Sequence, residues 1–160
     1  MLKLLPILFF AAVNISQISI FEIDGIFSNG HINAIQRYVD ENDLRESNLF
    51  VIQYNASDTS ENSVTELQEL LKDIKTPKAI WVGPNETIVD AGLLKSFDYV
   101  GISPGTTIIN KLSNNEFEFL DQEGIYEGYM VVGSIGAFIE NLGSENIISN
   151  LTSLEGSTPG

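Results

Sequence analysis

Short apolar segments recur along the chain at intervals that suit the strands of an α/β protein. Residues 49–54 (LFVIQY) and 79–82 (AIWV) are almost continuously apolar, as strands are when helices cover both faces of a parallel sheet. Residues 18–24 alternate in polarity and are rich in β-branched side chains, which also favours a strand. Residues 99–102 and 129–132 are two further short apolar runs. The pattern therefore predicts five strands.

Apolar residues recur at helical spacing between the predicted strands. In the clearest case, Ser63-x-x-Glu66 has the sequence of a capping box, and a helical pattern follows it until Pro77. Ser28 or Asn29 is a suitable N-cap for an earlier helix. The predicted helices are residues 32–44, 63–74, 88–96 and 135–142, with residues 115–124 as an acidic helix or a loop.

The order of these elements indicates one domain of repeated β-α-β units. Crossovers of this kind are right-handed and produce a parallel sheet with helices packed on it. We therefore expect an α/β fold, with a mostly parallel sheet flanked by helices, within residues 18–143. Residues 144–160 are rich in Ser, Asn and Gly, which predicts a flexible tail or linker.

Residues 1–17 have features of a signal peptide or an N-terminal anchor. Lys3 precedes an apolar run at residues 4–13, which is short of the roughly 20 residues that a spanning helix needs. A buried first strand or helix is the alternative interpretation. We expect an exported or membrane-associated protein that acts outside the cytoplasm.

Composition and charge exclude several classes of function. The chain has 160 residues, 43% of them hydrophobic, which suits one domain with an apolar core. The formal net charge is −14, and a surface of this sign repels phosphate, so no nucleic acid partner is expected. No cysteine is present, which excludes thiolate metal sites and cysteine nucleophiles. The acidic residues 58–62 lack the glycine and the closing glutamate of a calcium loop, so a solvated loop is predicted there, with no metal or cofactor.

The candidate groove follows from the predicted topology. Ligands of open parallel sheets bind beyond the carboxyl ends of the strands, where neighbouring loops converge. The segments after the second and third predicted strands would meet there, with Asp90 at the start of a helix, where negative charge is favoured. A carboxylate in that position often has no chemical role. The groove candidates are Asn55, Ala56, Ser57, Asp90, Ala91 and Gly92.

Several short segments, taken in order, carry a resemblance to a known family. They are residues 23–26 (IDGI), 74–84 (IKTPKAIWVGP), 90–92 (DAG), 97–106 (FDYVGISPGT), 123–125 (EGI) and 131–142. Their order and spacing resemble the NfeD-type, membrane-associated serine proteases of the ClpP class, over residues 18–109 and 117–143. The resemblance implies the ClpP/crotonase-like fold.

The resemblance also implies where a catalytic site would lie, and the residues there depart from the family. Proteases of this type are understood to use a serine nucleophile, a lysine base and an oxyanion hole in a Gly-Gly turn. A serine hydroxyl needs a base beside it, and removing one oxyanion donor costs about 10²–10³ in rate. This sequence has Asp90 at the nucleophile position, residues 55–58 (NASD) in place of the glycine turn, and only Lys95 and Lys111 as later lysines. No catalytic residue is therefore predicted.

Three functions remain open at this point. One is an inactive protease-like domain that binds an apolar peptide or a stomatin-like membrane protein. Another is an active serine endopeptidase with relocated residues, in which Ser57 acts with Lys95 or Lys111. The third is a purely structural domain that forms homo-oligomers. A Ser-His-Asp triad is not expected, because no serine in a strained turn accompanies His31, the one histidine of the sequence.

Overall fold

The structure is a computed structural model that describes residues 18–42, 49–59, 61–84, 87–110, 116–120, 122–126 and 128–144. Within these ranges the strands are β1 (Ile18–Phe27), β2 (Leu49–Thr59), β3 (Lys78–Val82), β4 (Ile88–Asp90), β5 (Tyr99–Ile102), β6 (Thr106–Asn110), β7 (Glu116–Leu120), β8 (Gly124–Tyr126) and β9 (Tyr129–Val131). The helices are α1 (Asn29–Asn42), α2 (Glu61–Lys72), α3 (Ala91–Leu94) and α4 (Ile135–Ser144).

The described strands form two sheets. The larger sheet has the order β1-β2-β3-β5-β9-β8 and is parallel except for the last pair, β9 and β8. The smaller sheet has the order β4-β6-β7, parallel between β4 and β6 and antiparallel between β6 and β7. The predicted α/β fold, with a mostly parallel sheet flanked by helices, is confirmed.

Alternate residues of the central strands enter two separate cores. One core contains Ile52 and Ile80 together with buried residues of α1 and α2. The other contains Val51 and Trp81 together with Phe138 of α4. Because successive side chains of a strand point to opposite faces, these strands are covered on both sides, which explains their almost continuously apolar sequence.

Helix α4 lies unusually close to the sheet at strand β5. A Cβ atom at Gly101 would stand 2.5 Å from Cδ1 of Phe138, so the absence of a side chain at this position permits the contact. On the neighbouring strand, the Trp81 indole is 1% exposed, and its Nε1–H donates to the carbonyl oxygen of Val132 at 3.1 Å. A buried indole N–H requires such a partner.

The predicted boundary between the second strand and the second helix is corrected. Strand β2 continues to Thr59, because β1 pairs with it along the polar segment that was expected to be a loop. Helix α2 begins at Glu61, so Ser63 lies inside the helix and is fully buried there. Ser63 is therefore not the N-cap that the capping-box sequence predicted.

The smaller sheet accounts for the other corrections. The helix predicted at residues 88–96 begins as strand β4, and α3 occupies only Ala91–Leu94. Residues 116–120 form β7 and not a helix or loop, and strand β6 was not predicted. Three residues are too few to display a period, so pairing with β6 decides the conformation of β4. The EFEF sequence of β7 has the period of a strand, which its acidic composition obscured.

The two predicted terminal segments lie largely outside the described residues. Residues 1–17 and 145–160 are not described, and residue 144 is the last residue of α4. The division of the chain into residues 1–17, 18–143 and 144–160 stays a prediction. None of the helices in the described part of the chain is long and apolar enough to cross a membrane.

Candidate functional site

The carboxyl ends of β3 and β5 lie side by side, next to the continuing strand β2. The N–H of Gly83 donates to the carbonyl oxygen of Tyr54 at 2.9 Å, and the N–H of Ser103 donates to that of Val82 at 2.8 Å. The segments after β3 and β5 therefore leave the sheet side by side, and β2 continues past them. This is the carboxyl edge of the parallel strands, at which ligands of such sheets bind.

Asn55, Ala56 and Ser57 extend strand β2 at this edge. Asn55 pairs with Asp24 in the ladder, and its Nδ2 donates to Oδ1 of Asp24 at 3.2 Å. Ala56 is buried and pairs with Gly25, after which the register shifts and leaves Ser57 exposed and without a ladder partner on β1. Gly25 has a φ of 80°, which glycine adopts without strain and which suits a β-bulge. This segment is therefore a bulged strand and not an open loop.

Asp90 ends strand β4 and caps helix α3. Its backbone is extended, with φ −83° and ψ 130°, and its Oδ1 accepts the N–H of Gly92 at 2.7 Å. The neighbouring residues Val89 and Ala91 are buried, which anchors the junction between β4 and α3 in the core. Gln68 of α2 braces the same turn, because its Nε2 donates to the carbonyl oxygen of Gly92 at 2.9 Å. One carboxylate oxygen of Asp90 is thus engaged as a helix cap.

Strand β4 has an outward side-chain face and an outward backbone edge. Ile88 is 66% exposed and Asp90 is half-buried, whereas Val89 between them is buried. The N–H of Thr107 donates to the carbonyl oxygen of Thr87 at 2.9 Å, so by the alternation of a strand the N–H and C=O of Ile88 face away from β6. In the part of the chain that the structure describes, β6 is the one strand paired with β4.

The two candidate segments share a core but not a polar contact. Ala56 and Ala91 belong to the same buried cluster. Asn55 bonds to β1, and Asp90 bonds to α3. No hydrogen bond among the described residues links Asn55 or Ser57 to Asp90. The two groups of candidates therefore pack against one core and make separate polar contacts.

Solved structures with this architecture are known. The chain is similar to 1510-N, a membrane protease specific for a stomatin homolog from Pyrococcus horikoshii, with a TM-score of 0.63 and 13% identity over 78% of this chain and 77% of that chain. It is also similar to the probable enoyl-CoA hydratase EchA3 from Mycobacterium tuberculosis H37Rv, with a TM-score of 0.56 and 12% identity over 86% and 83% of the two chains. The chain has the ClpP/crotonase-like fold. No protein-family model and no curated protein matches the sequence.

The predicted resemblance to NfeD-type proteases of the ClpP class is thereby confirmed at the level of the fold. Identities of 12% and 13% establish the architecture alone, because one fold supports many chemistries. The residues at the carboxyl edge must therefore be judged from their own geometry.

Lys95 has the position of a helix end and not that of a buried base. It is the C-cap of α3, where its N–H donates to the carbonyl oxygen of Ala91 at 3.1 Å, and the residue is exposed. Ser57 is exposed as well, and among the described residues no hydrogen bond joins it to Lys95. Lys111, the other predicted partner of Ser57, lies outside the described residues.

Two further candidates from the sequence have structural explanations. Nδ1 of His31 accepts the N–H of Ser28 at 3.4 Å, and the imidazole packs edge-on against Phe27 with 5.8 Å between the ring centres. Residues 58 and 59, expected in a solvated loop, belong to strand β2. No three His, Asp or Glu side chains within the described ranges lie close enough together to hold a metal ion.

Sequence reasoning missed two polar features near the site. Gln68 follows Leu67 on α2 and lies at the border of the apolar face of that helix. No local pattern indicates that its amide reaches Gly92. The hydroxyl oxygens of Ser103 and Thr106 lie 3.2 Å apart in a buried turn after β5. The Ser-Pro-Gly-Thr sequence predicted a turn there, without the hydroxyl pair inside it.

Proposed function

We propose that this chain is a ClpP-class protease-like domain that lacks peptidase activity and binds extended peptides outside the cytoplasm. The observation that carries the proposal is Asp90. It occupies the position where the family resemblance implies a serine, and its Oδ1 is already engaged with the N–H of Gly92 at 2.7 Å. A carboxylate cannot form the acyl-serine intermediate, and its negative charge opposes a developing oxyanion nearby.

The backbone of residues 55–57 supports the same proposal. An oxyanion hole needs N–H groups already aimed at the position where negative charge develops. Asn55 and Ala56 lie in register with β1, and the backbone N–H of only one of them faces that strand. Neither of them is a glycine, whose freedom the turn of the family uses. The segment is thus built to extend the sheet.

The positions of the basic residues also favour an inactive site. A lysine serves as a general base when burial disfavours its charged form. Lys95 is exposed at the end of α3. In residues 87–110 it is the one lysine or arginine, so no buried base accompanies Asp90 in that described range.

The outward edge of β4 supports the peptide-binding part of the proposal. Extended peptides add to exposed sheet edges through main-chain hydrogen bonds, and pockets for alternate side chains provide specificity. The N–H and C=O of Ile88 face away from β6, and its side chain is 66% exposed. An exposed edge beside an apolar side chain is suited to such an addition.

The predicted leader supports the proposed location, and the protease with the same fold suggests the proposed partner. The signal peptide or anchor predicted at residues 1–17 supports an extracytoplasmic, membrane-associated protein. The membrane protease with the same fold is specific for a stomatin homolog, which makes a segment of a stomatin-like membrane protein the first peptide to test. A homo-oligomer remains the structural alternative, and light scattering of the purified chain measures it.

The test combines cleavage and binding in one set of proteins. The purified chain and its Asp90→Ser and Ser57→Ala variants are incubated with apolar peptides and with a serine-reactive fluorophosphonate probe. We expect no cleavage and no labelling in any of the three, because a serine at position 90 still lacks a base and an oxyanion hole. Binding of the intact peptides, followed by fluorescence anisotropy, is expected in all three.

Two results would contradict the proposal in different ways. Cleavage that disappears in Ser57→Ala would make the chain an active endopeptidase with a relocated nucleophile. Absence of binding for every peptide, with correctly folded protein, would leave the fold without a peptide site and would favour the oligomerising role.

A further inference from the structure

Asp90 and Ile88 lie on the same outward face of strand β4. Residues two apart on a strand share a face, and the buried Val89 between them points to the core. Ile88 is 66% exposed and Asp90 is half-buried. A peptide strand added at this edge would run about 4.8 Å from β4. Its side chains would then meet an apolar group and a carboxylate two residues apart.

The carboxylate of Asp90 has capacity for a second partner. An ionised carboxylate accepts at two oxygens with about four lone-pair sites, and the Gly92 N–H uses one position on Oδ1. That bond also holds the side chain in one orientation. Among the described residues, the one ion pair joins Lys72 and Glu69 on α2, so no described basic side chain neutralises Asp90.

The charge of the whole molecule also favours a cationic ligand. The formal net charge is −14, and a field of this sign raises the local concentration of cationic ligands and speeds their association. Peptides with a carboxylate near Asp90 would be repelled both locally and by this field. Charge complementarity therefore selects one kind of occupant.

We propose that the β4 edge selects extended peptides with a lysine or arginine two residues from an apolar residue, with Asp90 as the counter-charge and Ile88 as the apolar contact. This inference rests on the proposed peptide-binding function and names its ligand class. The residue that removes the nucleophile thereby becomes a specificity determinant. The long stem of lysine or arginine packs along apolar surface while its charged end reaches the carboxylate.

The experiment uses the full chain and a matched set of labelled peptides of about eight residues. Each peptide has one central leucine, and either Lys, Gln or Glu at the positions two before and two after it, so that both strand directions are sampled. Affinities are measured by fluorescence anisotropy at low and high salt. We expect the Lys peptide to bind about five- to tenfold more tightly than the Gln peptide at low salt, and the Glu peptide to bind least tightly.

The variants separate a local contact from the general field. Asp90→Asn keeps an oxygen for the Gly92 N–H but removes the charge, and it should abolish the preference for Lys while the Gln peptide keeps its affinity within about twofold. Glu140→Gln removes one charge from an exposed position on α4 and is the matched control. It should leave the preference intact.

The outcomes distinguish this inference from the function on which it rests. Equal binding of the three peptides, or an equal effect of Asp90→Asn and Glu140→Gln, would overturn the selectivity and leave peptide binding standing. Absence of binding by all three peptides would overturn the proposed function itself.

Discussion

The central strands of the larger sheet and the corner formed by residues 87–94 rest on the same core, but they differ in what they present to solvent. The apolar stretches of β2 and β3 are covered on both faces. The corner buries Val89, Ala91 and Leu93 while Ile88 is exposed and Asp90 is half-buried. The first region is therefore buried almost throughout, whereas the corner leaves the two outward positions of β4 partly or largely exposed.

This difference bears on how one fold can support different chemistries. A side chain packed on all sides is constrained by volume, because cores have few voids and respond to the loss of a single methylene. An outward position beside a buried one carries no such constraint. At Asp90 the junction is held by the packing of its buried neighbours and by its own carboxylate, which supplies the cap.

The largest effect is expected in the doubly covered region. Trp81→Ala removes a fully buried indole and its hydrogen bond to Val132, and should lower the free energy of unfolding by about 3–5 kcal/mol. Ile88→Ala, its counterpart in the corner, should change that free energy by no more than about 0.5 kcal/mol. Denaturant unfolding followed by circular dichroism measures both. Similar losses in the two variants would remove the distinction between the regions.

A smaller effect is expected where α4 approaches β5. Gly101→Ala places a Cβ atom 2.5 Å from Cδ1 of Phe138, and such overpacking should cost about 1–3 kcal/mol. Phe138→Leu in the same chain should relieve part of that cost, so the double variant should be more stable than the sum of the single effects indicates. Strict additivity in this double-mutant cycle would show that α4 shifts away from β5 and that the contact between Gly101 and Phe138 does not fix the position of the helix.

The smallest effect is expected at the outward position itself. Asp90→Ala removes the acceptor for the Gly92 N–H, and losing such a cap should cost about 1 kcal/mol. Asp90→Asn keeps the acceptor and should cost only a few tenths of that value. Both are measured as for Trp81→Ala. An equal cost for the two variants would mean that the negative charge, and not the hydrogen bond, stabilises α3.

The sequence predicted the larger sheet well because strands that are buried on both faces are almost continuously apolar, and such runs can be seen in the sequence. Residues 99–102 were predicted as a strand and form β5 with the same bounds, and residues 79–82 fall within β3. The smaller sheet was missed because β4 has three residues and β6 pairs with partners on both sides. Such short strands form through pairing, and pairing partners are not recorded in the residues themselves.

The candidate site divides in the same way. The identity of its residues could be taken from the sequence, which has an aspartate at position 90 and no glycine in residues 55–58. Their neighbours could not, because the Gln68 amide on Gly92 and the Asn55 amide on Asp24 join segments that are far apart in the chain. The proposal that this region binds peptides rests on the outward edge of β4 and is tested by the experiments above.

The sequence by itself determined which central segments are buried and which residue types stand at positions 55–58 and 90, since both are properties of single residues and their immediate spacing. Only the tertiary structure decided that residues 55–59 continue a strand, that Ser57 occupies a bulge and that Asp90 caps a helix two residues after the exposed Ile88. The physical reason is that hydrogen-bond partners come from segments that are brought together only when the whole chain folds. Polar residues, which carry the chemistry, depend most on that choice.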